Sequence, residues 1–201
     1  MRAYAMVHGA GHILRWLVSP KLLHTEHIPV TGAAVLAGNH FNAADPLLVA
    51  ACTKRYVGTL AKKELFDGWY GFIFRAIGSI PVVFSRTRNT DALQAAVAVL
   101  QDGHLVNVSP EAGRNFSTEL LLPFKGGAVA MAQRAGCPII PYTIVGNYRF
   151  RSRNLAIRFG EPLDVSTLSF DAAMTLLRDT ISQMLTADGY VPVGARQRNT
   201  G

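Results

Sequence analysis

"AAVLAGNHFNAADPLLVA", residues 33–50, sets an apolar run against a proline-opened helix, with His40 and Asp45 in the turn between them. A short apolar run ending in glycine reads as a buried strand. Asp45-Pro46 reads as a helix start, since aspartate is favoured at the cap and proline at the first helical position. The same order of strand, turn and helix recurs outward from this stretch. "VGTLA" precedes "ELFDGWYGFIFRAIG", "IPVVF" precedes "TDALQAAVAVLQDG", and "LVNVS" precedes a loop and "GGAVAMAQRAG"; "PIIPYTIVG" and "LAIRFG" follow. Alternation of this kind predicts one α/β domain, a largely parallel or mixed central sheet flanked by helices.

Composition sets the outer limits. A chain of 201 residues that is 49% hydrophobic has ample apolar material for one core. The two cysteines, Cys52 and Cys137, lie far apart, which argues against a disulfide framework or a cysteine-based zinc site and fits a reducing compartment. The formal charge of +7 implies attraction to polyanions: nucleic acid, an anionic bilayer, or phosphorylated small molecules. Nucleic acid is disfavoured, because no recognised motif occurs and the aromatics sit in apolar runs rather than along a basic stripe.

The first 24 residues resemble an export signal only superficially. His8, His12 and Arg15 interrupt the apolar stretch, no small-residue cleavage site follows, and the run is too short to span a bilayer. At helical spacing, Tyr4, Val7, Leu14, Trp16, Leu17 and Val18 make an apolar face, with Arg2, Arg15 and Lys21 as cationic flanks. Residues 1–24 therefore read as an amphipathic helix, either lying at a membrane interface or packing on its own domain. Residues 25–190 form the α/β domain, with an amphipathic helix over 170–187, and 191–201 read as a flexible tail.

Chemistry-bearing residues follow the strands. Asn39, His40 and Asp45 follow the first of these runs, Lys62 to Glu64 the second, Ser85, Arg86 and Arg88 the third, and Glu111 and Arg114 the fourth. Ligands of open α/β sheets bind outside the carboxyl ends of the strands, so these clusters are expected to share a cleft. On one regular helix, residues spaced as His40 and Asp45 are would point about 140° apart. They can meet only if His40 lies in a loop that folds back; otherwise Asp45 is a helix cap and nothing more. If they meet, the carboxylate fixes the imidazole tautomer and the other ring nitrogen takes a proton from a bound hydroxyl. No GxSxG elbow is present, so the substrate would supply the nucleophile. No histidine shows a convincing ligand spacing, and no metal is expected.

These residues carry a family resemblance. "NHFNAAD" (39–45) resembles the H-x-x-x-x-D motif of the PlsC-like glycerolipid acyltransferase superfamily, which includes 1-acyl-sn-glycerol-3-phosphate acyltransferases. "LAKKELF" (60–66) is similar to the segment after the second strand, "GSIPVVFSR" (78–86) to the second motif, "SPEAGRNFSTELLLPFKGGA" (109–128) to the P-E-G-T-R and P-F-K-x-G-A pattern, and "CPIIPYTIVG" (137–146) to the fourth motif. Order and spacing hold from about Ile28 to Gly160.

The resemblance implies direct acyl transfer from acyl-CoA or acyl carrier protein to the hydroxyl of lysophosphatidic acid or a related lysophospholipid, without a covalent intermediate or cofactor. His40 would be the base and Asp45 its orienter. Arg86, Glu111, Arg114 and Lys125 would form the acceptor-phosphate site, and Asn39 and Lys62 would give electrostatic support. Expected partners are the two substrates, a membrane surface and an acyl carrier protein; the expected location is peripheral or monotopic on the cytoplasmic side. A phospholipid-dependent transacylase and a non-catalytic basic membrane-binding module are the alternatives. Two departures stand out: glycine (Gly113) replaces the threonine before Arg114, and the arginine of the second motif comes two residues late, which leaves Arg86 or Arg88 for its role.

Overall fold

The computed structural model describes residues 12–67, 71, 79–82 and 90–198. Its strands are β1 (Lys21–Leu23), β2 (Ala34–Gly38), β3 (Val57–Lys62), β4 (Ile80–Val82), β5 (Leu105–Val108), β6 (Ile139–Val145) and β7 (Ala156–Phe159). Its helices are α1 (residues 12–18), α2 (Asp45–Ala50), α3 (Glu64–Asp67), α4 (Thr90–Gln101), α5 (Gly127–Ala135), α6 (Phe170–Ala187) and α7 (Val193–Arg198).

The strands form a single mixed sheet in the order β1-β7-β6-β2-β5-β3-β4. Strands β2 to β6 run parallel, β7 pairs antiparallel with β6, and β1 pairs parallel with β7. One consequence matters for the site. The segments that leave β2, β3, β5 and β6 and the segments that enter β1 and β7 all gather at the same edge.

Every residue of β2 is buried, as expected of a central parallel strand covered on both faces. Helix α6 covers β6 with a stripe of Ala173, Leu177, Ile181 and Leu185, each four residues from the last and fully buried. Burying each of the larger three stabilises the fold by about 1.5–3 kcal/mol. The helix starts where Ser169 accepts a hydrogen bond from the Ala172 amide at 3.3 Å.

Two segments differ from the sequence reading. The helix expected over 1–24 ends at residue 18, and residues 21–23 form β1; residues 1–11 lie outside the described part. Pro20 explains the break, because proline excludes the helical conformation from the residue before it, and Ser19 takes φ 44° instead. The tail expected to be flexible forms α7 from Val193, tied down where the Gly194 amide donates to the Ser117 carbonyl at 3.0 Å. A Cβ on Gly194 would lie 2.7 Å from the Phe116 carbonyl oxygen, so only glycine permits this close approach. Within the described residues no helix is long and apolar enough to cross a membrane.

Gly38 ends β2 under comparable pressure. A Cβ there would sit 2.3 Å from the Tyr142 carbonyl oxygen and 2.4 Å from its ring. Because backbone is involved, the neighbour cannot swing away. Gly38→Ala is expected to lower the urea midpoint by the equivalent of about 2–3 kcal/mol; a midpoint within error of the parent would show that Tyr142 does not press on the end of β2.

Candidate active site

Three neighbouring strands, β6, β2 and β5, deliver the site from their carboxyl ends. Directly after β2, Asn39 is buried and its amide completes the sheet: Nδ2 donates to the Ile144 carbonyl at 2.9 Å and Oδ1 accepts from the Ile144 amide at 2.8 Å. Both polar ends of the side chain are thereby occupied. Asn39 fixes where the next residue starts, rather than facing a substrate.

His40 Nδ1 lies 3.0 Å from Asp45 Oδ2. The loop folds back as that contact requires: Asn42 Oδ1 accepts from Ala44 N at 2.9 Å, and the Asp45 amide donates to the Asn42 carbonyl at 3.1 Å. Asp45 is the first residue of α2, and the cap position before it is Ala44, which makes no side-chain cap bond. Its carboxylate serves the preceding loop instead. Oδ2 also accepts from the amides of Phe41 at 2.9 Å and Asn42 at 2.8 Å, and Oδ1 accepts from the Tyr148 hydroxyl at 2.7 Å.

Four donors converge on a carboxylate that is 1% exposed, satisfying a group that would be costly to bury alone. Burial, and then the Asp45 charge, push the Tyr148 phenol well above its ordinary range, so it stays a donor. With Nδ1–H directed at Asp45, the neutral imidazole carries its lone pair on Nε2. The His40 side chain is 22% exposed, enough to meet a ligand.

The loop after β5 holds His40 from the other side. Glu111 Oε1 accepts from the His40 amide at 3.2 Å, Glu111 Oε2 accepts from the Leu122 amide at 2.8 Å, and the Asn115 amide donates to the His40 carbonyl at 2.8 Å. Glu111 is buried, which raises its carboxyl pKa; the two amides, His40 and Arg178 oppose that rise. Its oxygens are turned to backbone donors, so Glu111 positions the His40 loop and does not point a charge at a phosphate. Asn115 orders the same loop through Ser117 and the Glu119 carbonyl. Ala112 takes φ 53°, a left-handed conformation that glycine adopts freely and that costs an L-residue about 1–2 kcal/mol. It stands where the P-E-G-T-R pattern has glycine, while a Cβ on Gly113 would meet nothing within 4 Å.

Arg114 is exposed on this loop with its guanidinium 5.1 Å from the Phe116 ring centroid. Lys125 is exposed, and its amide closes the loop on the Pro110 carbonyl at 2.7 Å. Lys62 ends β3, two strands from β2, and its side chain lies outside the described part. Arg86 and Arg88 also lie outside it.

Tyr148 is a site residue that the motifs do not reveal: it lies in "NYRF" (147–150), which leaves β6, and nothing in that run signals a partner 103 residues away. Arg178 on α6, stacked 5.9 Å from the Phe124 ring centroid, has no sequence signal linking it to Glu111. His24, Glu26 and His27 bring their ligand atoms within 4.8 Å of one another. They follow β1 at the opposite sheet edge, where His27 bonds the Phe159 carbonyl at 3.0 Å and Glu161 at 3.1 Å, so they take no part in the His40 site.

The described residues thus form an α/β domain with a histidine–carboxylate pair at the carboxyl edge of its sheet and exposed cations on the adjoining loop. Residues 21–145 match the Acyltransferase family, and the chain belongs to it. A 1-acyl-sn-glycerol-3-phosphate acyltransferase of Bacillus subtilis is 25% identical over 174 residues, covering 82% of this chain and 85% of that protein. One of Borreliella burgdorferi is 27% identical over 164 residues, and the match covers 79% of this chain but 64% of the relative. The crystal structure of the 1-acyl-sn-glycerophosphate acyltransferase PlsC from Thermotoga maritima shares the fold, with a TM-score of 0.74 at 20% identity over 92% of this chain and 78% of that one.

Tyr148→Phe removes one donor from a buried carboxylate while keeping the ring. It is expected to lower stability by about 1.5–3 kcal/mol in chemical denaturation. A change smaller than about 0.5 kcal/mol, the ordinary scatter of surface substitutions, would mean that the hydroxyl does not serve Asp45.

Proposed function

We propose that this protein transfers a fatty acyl group from an acyl thioester, acyl-CoA or acyl carrier protein, to the free hydroxyl of lysophosphatidic acid or a related lysophospholipid. The observation that carries this reading is the His40 Nδ1 to Asp45 Oδ2 contact of 3.0 Å, which leaves Nε2 as the free base. The relatives named 1-acyl-sn-glycerol-3-phosphate acyltransferases support the choice of substrates.

His40 Nε2 takes the proton of the acceptor hydroxyl as its oxygen attacks the thioester carbonyl. The tetrahedral intermediate collapses with loss of the C–S bond, and the imidazolium returns the proton to the departing sulfur. The products are an ester and a free thiol. Because a thioester is already activated, no acyl-enzyme is needed. Asp45 stabilises the imidazolium and holds the ring; a general base so placed contributes about 10²–10⁴ in rate, and joint positioning of two substrates contributes more.

Arg114 and Lys125 are exposed cations on the loop that grips His40, and they suit the acceptor phosphate by charge; Arg86 is assigned to it by motif. Lys62 is assigned to developing oxyanion charge on the same ground. No cofactor enters this scheme. The protein works peripherally at the cytoplasmic surface of the membrane, where its acceptor resides.

The test is thiol release from acyl-CoA and acyl carrier protein with lysophosphatidate present. The wild type is expected to release thiol only with acceptor, and His40→Ala to lose at least about 100-fold in kcat with acceptor affinity nearly unchanged. A His40→Ala protein that keeps most of its rate removes the base assignment. Acceptor-independent behaviour of well-folded wild type removes the transferase reading.

A further inference from the structure

The turn after β1 gathers side chains that the His40 site does not use. Leu23 pairs with Arg158, so the chain leaves β1 beside the end of β7. It leaves as a 3-10 turn, Thr25–His27, entered through His24. Side chains three residues apart eclipse in that geometry, and the His24 and His27 rings accordingly stack, with centroids 5.4 Å apart and planes 11° from parallel. His24 itself takes φ 57°, a left-handed conformation that histidine tolerates better than most L-residues. Glu26 joins the two rings: its Oε1 lies 3.3 Å from His24 Nδ1, and the ligand atoms of His24, Glu26 and His27 all lie within 4.8 Å of one another. No other three histidine, cysteine or carboxylate groups among the described residues come together in this way.

His27 shows what the cluster requires. Its Nδ1 lies 3.0 Å from the Phe159 carbonyl oxygen and its Nε2 lies 3.1 Å from Glu161 Oε1. A carbonyl only accepts, so Nδ1 carries a proton, and the neutral ring then turns the lone pair of Nε2 toward a carboxylate, which also only accepts. Something positive must stand between those two atoms: a second proton or a metal ion. The surroundings favour the metal. A proton serves Nε2 and Glu161 alone, whereas His24 and Glu26 bring a second nitrogen and a second carboxylate to the same turn. Two neutral imidazoles and two carboxylates balance a divalent charge, and nitrogen with oxygen donors suits zinc and its neighbours. An imidazole whose far nitrogen donates to a backbone carbonyl is also the arrangement that orients a metal-binding histidine. Ligand atoms about 2.0–2.2 Å from a tetrahedral zinc ion stand about 3.3–3.6 Å apart. The His24–Glu26 and His27–Glu161 pairs are at 3.3 and 3.1 Å, and both glutamates are exposed and free to rotate the remaining distance.

We propose that His24, Glu26, His27 and Glu161 form a site for a divalent ion of the zinc type, which pins the turn after β1 to the segment after β7. The edge strand β1 has three residues and is held in the sheet by β7 alone, so a second tie at its end adds directly to the stability of that edge. The site lies at the opposite sheet edge from His40, and the inference stands apart from the acyl-transfer reading.

The experiment titrates Zn²⁺ and Co²⁺ into the metal-stripped full chain, carrying no histidine tag. Zinc at about 100 times its dissociation constant is expected to raise the thermal midpoint by about 5–10 °C, and a chelator to reverse the rise. Cobalt is expected to give the visible absorption of a four-coordinate site. Glu161→Gln, His27→Gln and His24→Asn, the last keeping a residue that tolerates the left-handed backbone, are each expected to weaken binding at least about tenfold. Glu161 has a side chain 81% exposed, so its replacement leaves the core untouched. His104→Gln, just before β5 at the same sheet edge, is expected to leave binding unchanged. A wild type that gains no stability from zinc, or a gain undiminished in Glu161→Gln and His24→Asn, would overturn the proposal and leave His27 and Glu161 as a proton-bridged pair. Neither readout uses substrate, so zinc binding of this pattern in a protein that releases no thiol would support the site and overturn only the transferase reading.

Discussion

A carboxylate inside a protein must find donors, and the site is arranged around how Asp45 does so. Its two oxygens take one imidazole, two backbone amides and one phenol, each between 2.7 and 3.0 Å. An isolated buried charge would cost several kcal/mol, so any rearrangement that removes these donors is opposed by the desolvation of the carboxylate. The amides of Phe41 and Asn42 shape the turn, the imidazole of His40 is held at Nδ1, and Tyr148 brings in a loop 103 residues away in sequence. One buried charge thus fixes the turn, the tautomer and a tertiary contact together.

The sheet order makes this convergence possible. Because β2 lies between β6 and β5, the chain leaving β2 emerges between the two loops that hold it. Tyr148 reaches Asp45 from the β6 side, and Glu111 and Asn115 bond the backbone of His40 from the β5 side. Asn39 forms the base of the arrangement by completing the ladder with Ile144. His40 is therefore oriented through its backbone as well as its ring, the preorganisation that the proposed role as a base requires. Phe41 packs at 5.9 Å from Tyr148 and 6.2 Å from Tyr190, centroid to centroid, and extends the same support towards the end of α6.

The α/β architecture was legible because hydrophobic periodicity reports burial directly: "AAVLAG" is apolar throughout and all of β2 is buried. The meeting of His40 and Asp45 was legible only as one of two readings, since a helix cap and a returning loop share the same letters. What separated them is Asn42, whose side chain turns the loop back, a tertiary decision too local for a five-residue spacing to reveal. Glu111 and Asn39 were harder. A polar residue beside His40 looks like a ligand contact in sequence, and only the fold shows that its hydrogen-bonding atoms are already occupied by backbone. Pro20 carried the signal that ended α1, whereas the docking of α7 depends on a glycine contact with a distant loop and left no periodic trace.

The most direct measurement is of the His40 ring nitrogens by ¹⁵N NMR in uniformly labelled protein, above the pH at which the ring becomes neutral. Asp45 accepting from Nδ1–H gives a ring protonated at Nδ1 with Nε2 bearing the lone pair, and Asp45→Asn is expected to disturb that preference. A His40 ring protonated at Nε2, or one exchanging freely between tautomers in the parent protein, would contradict the arrangement on which the base, and the reaction assigned to it, depend.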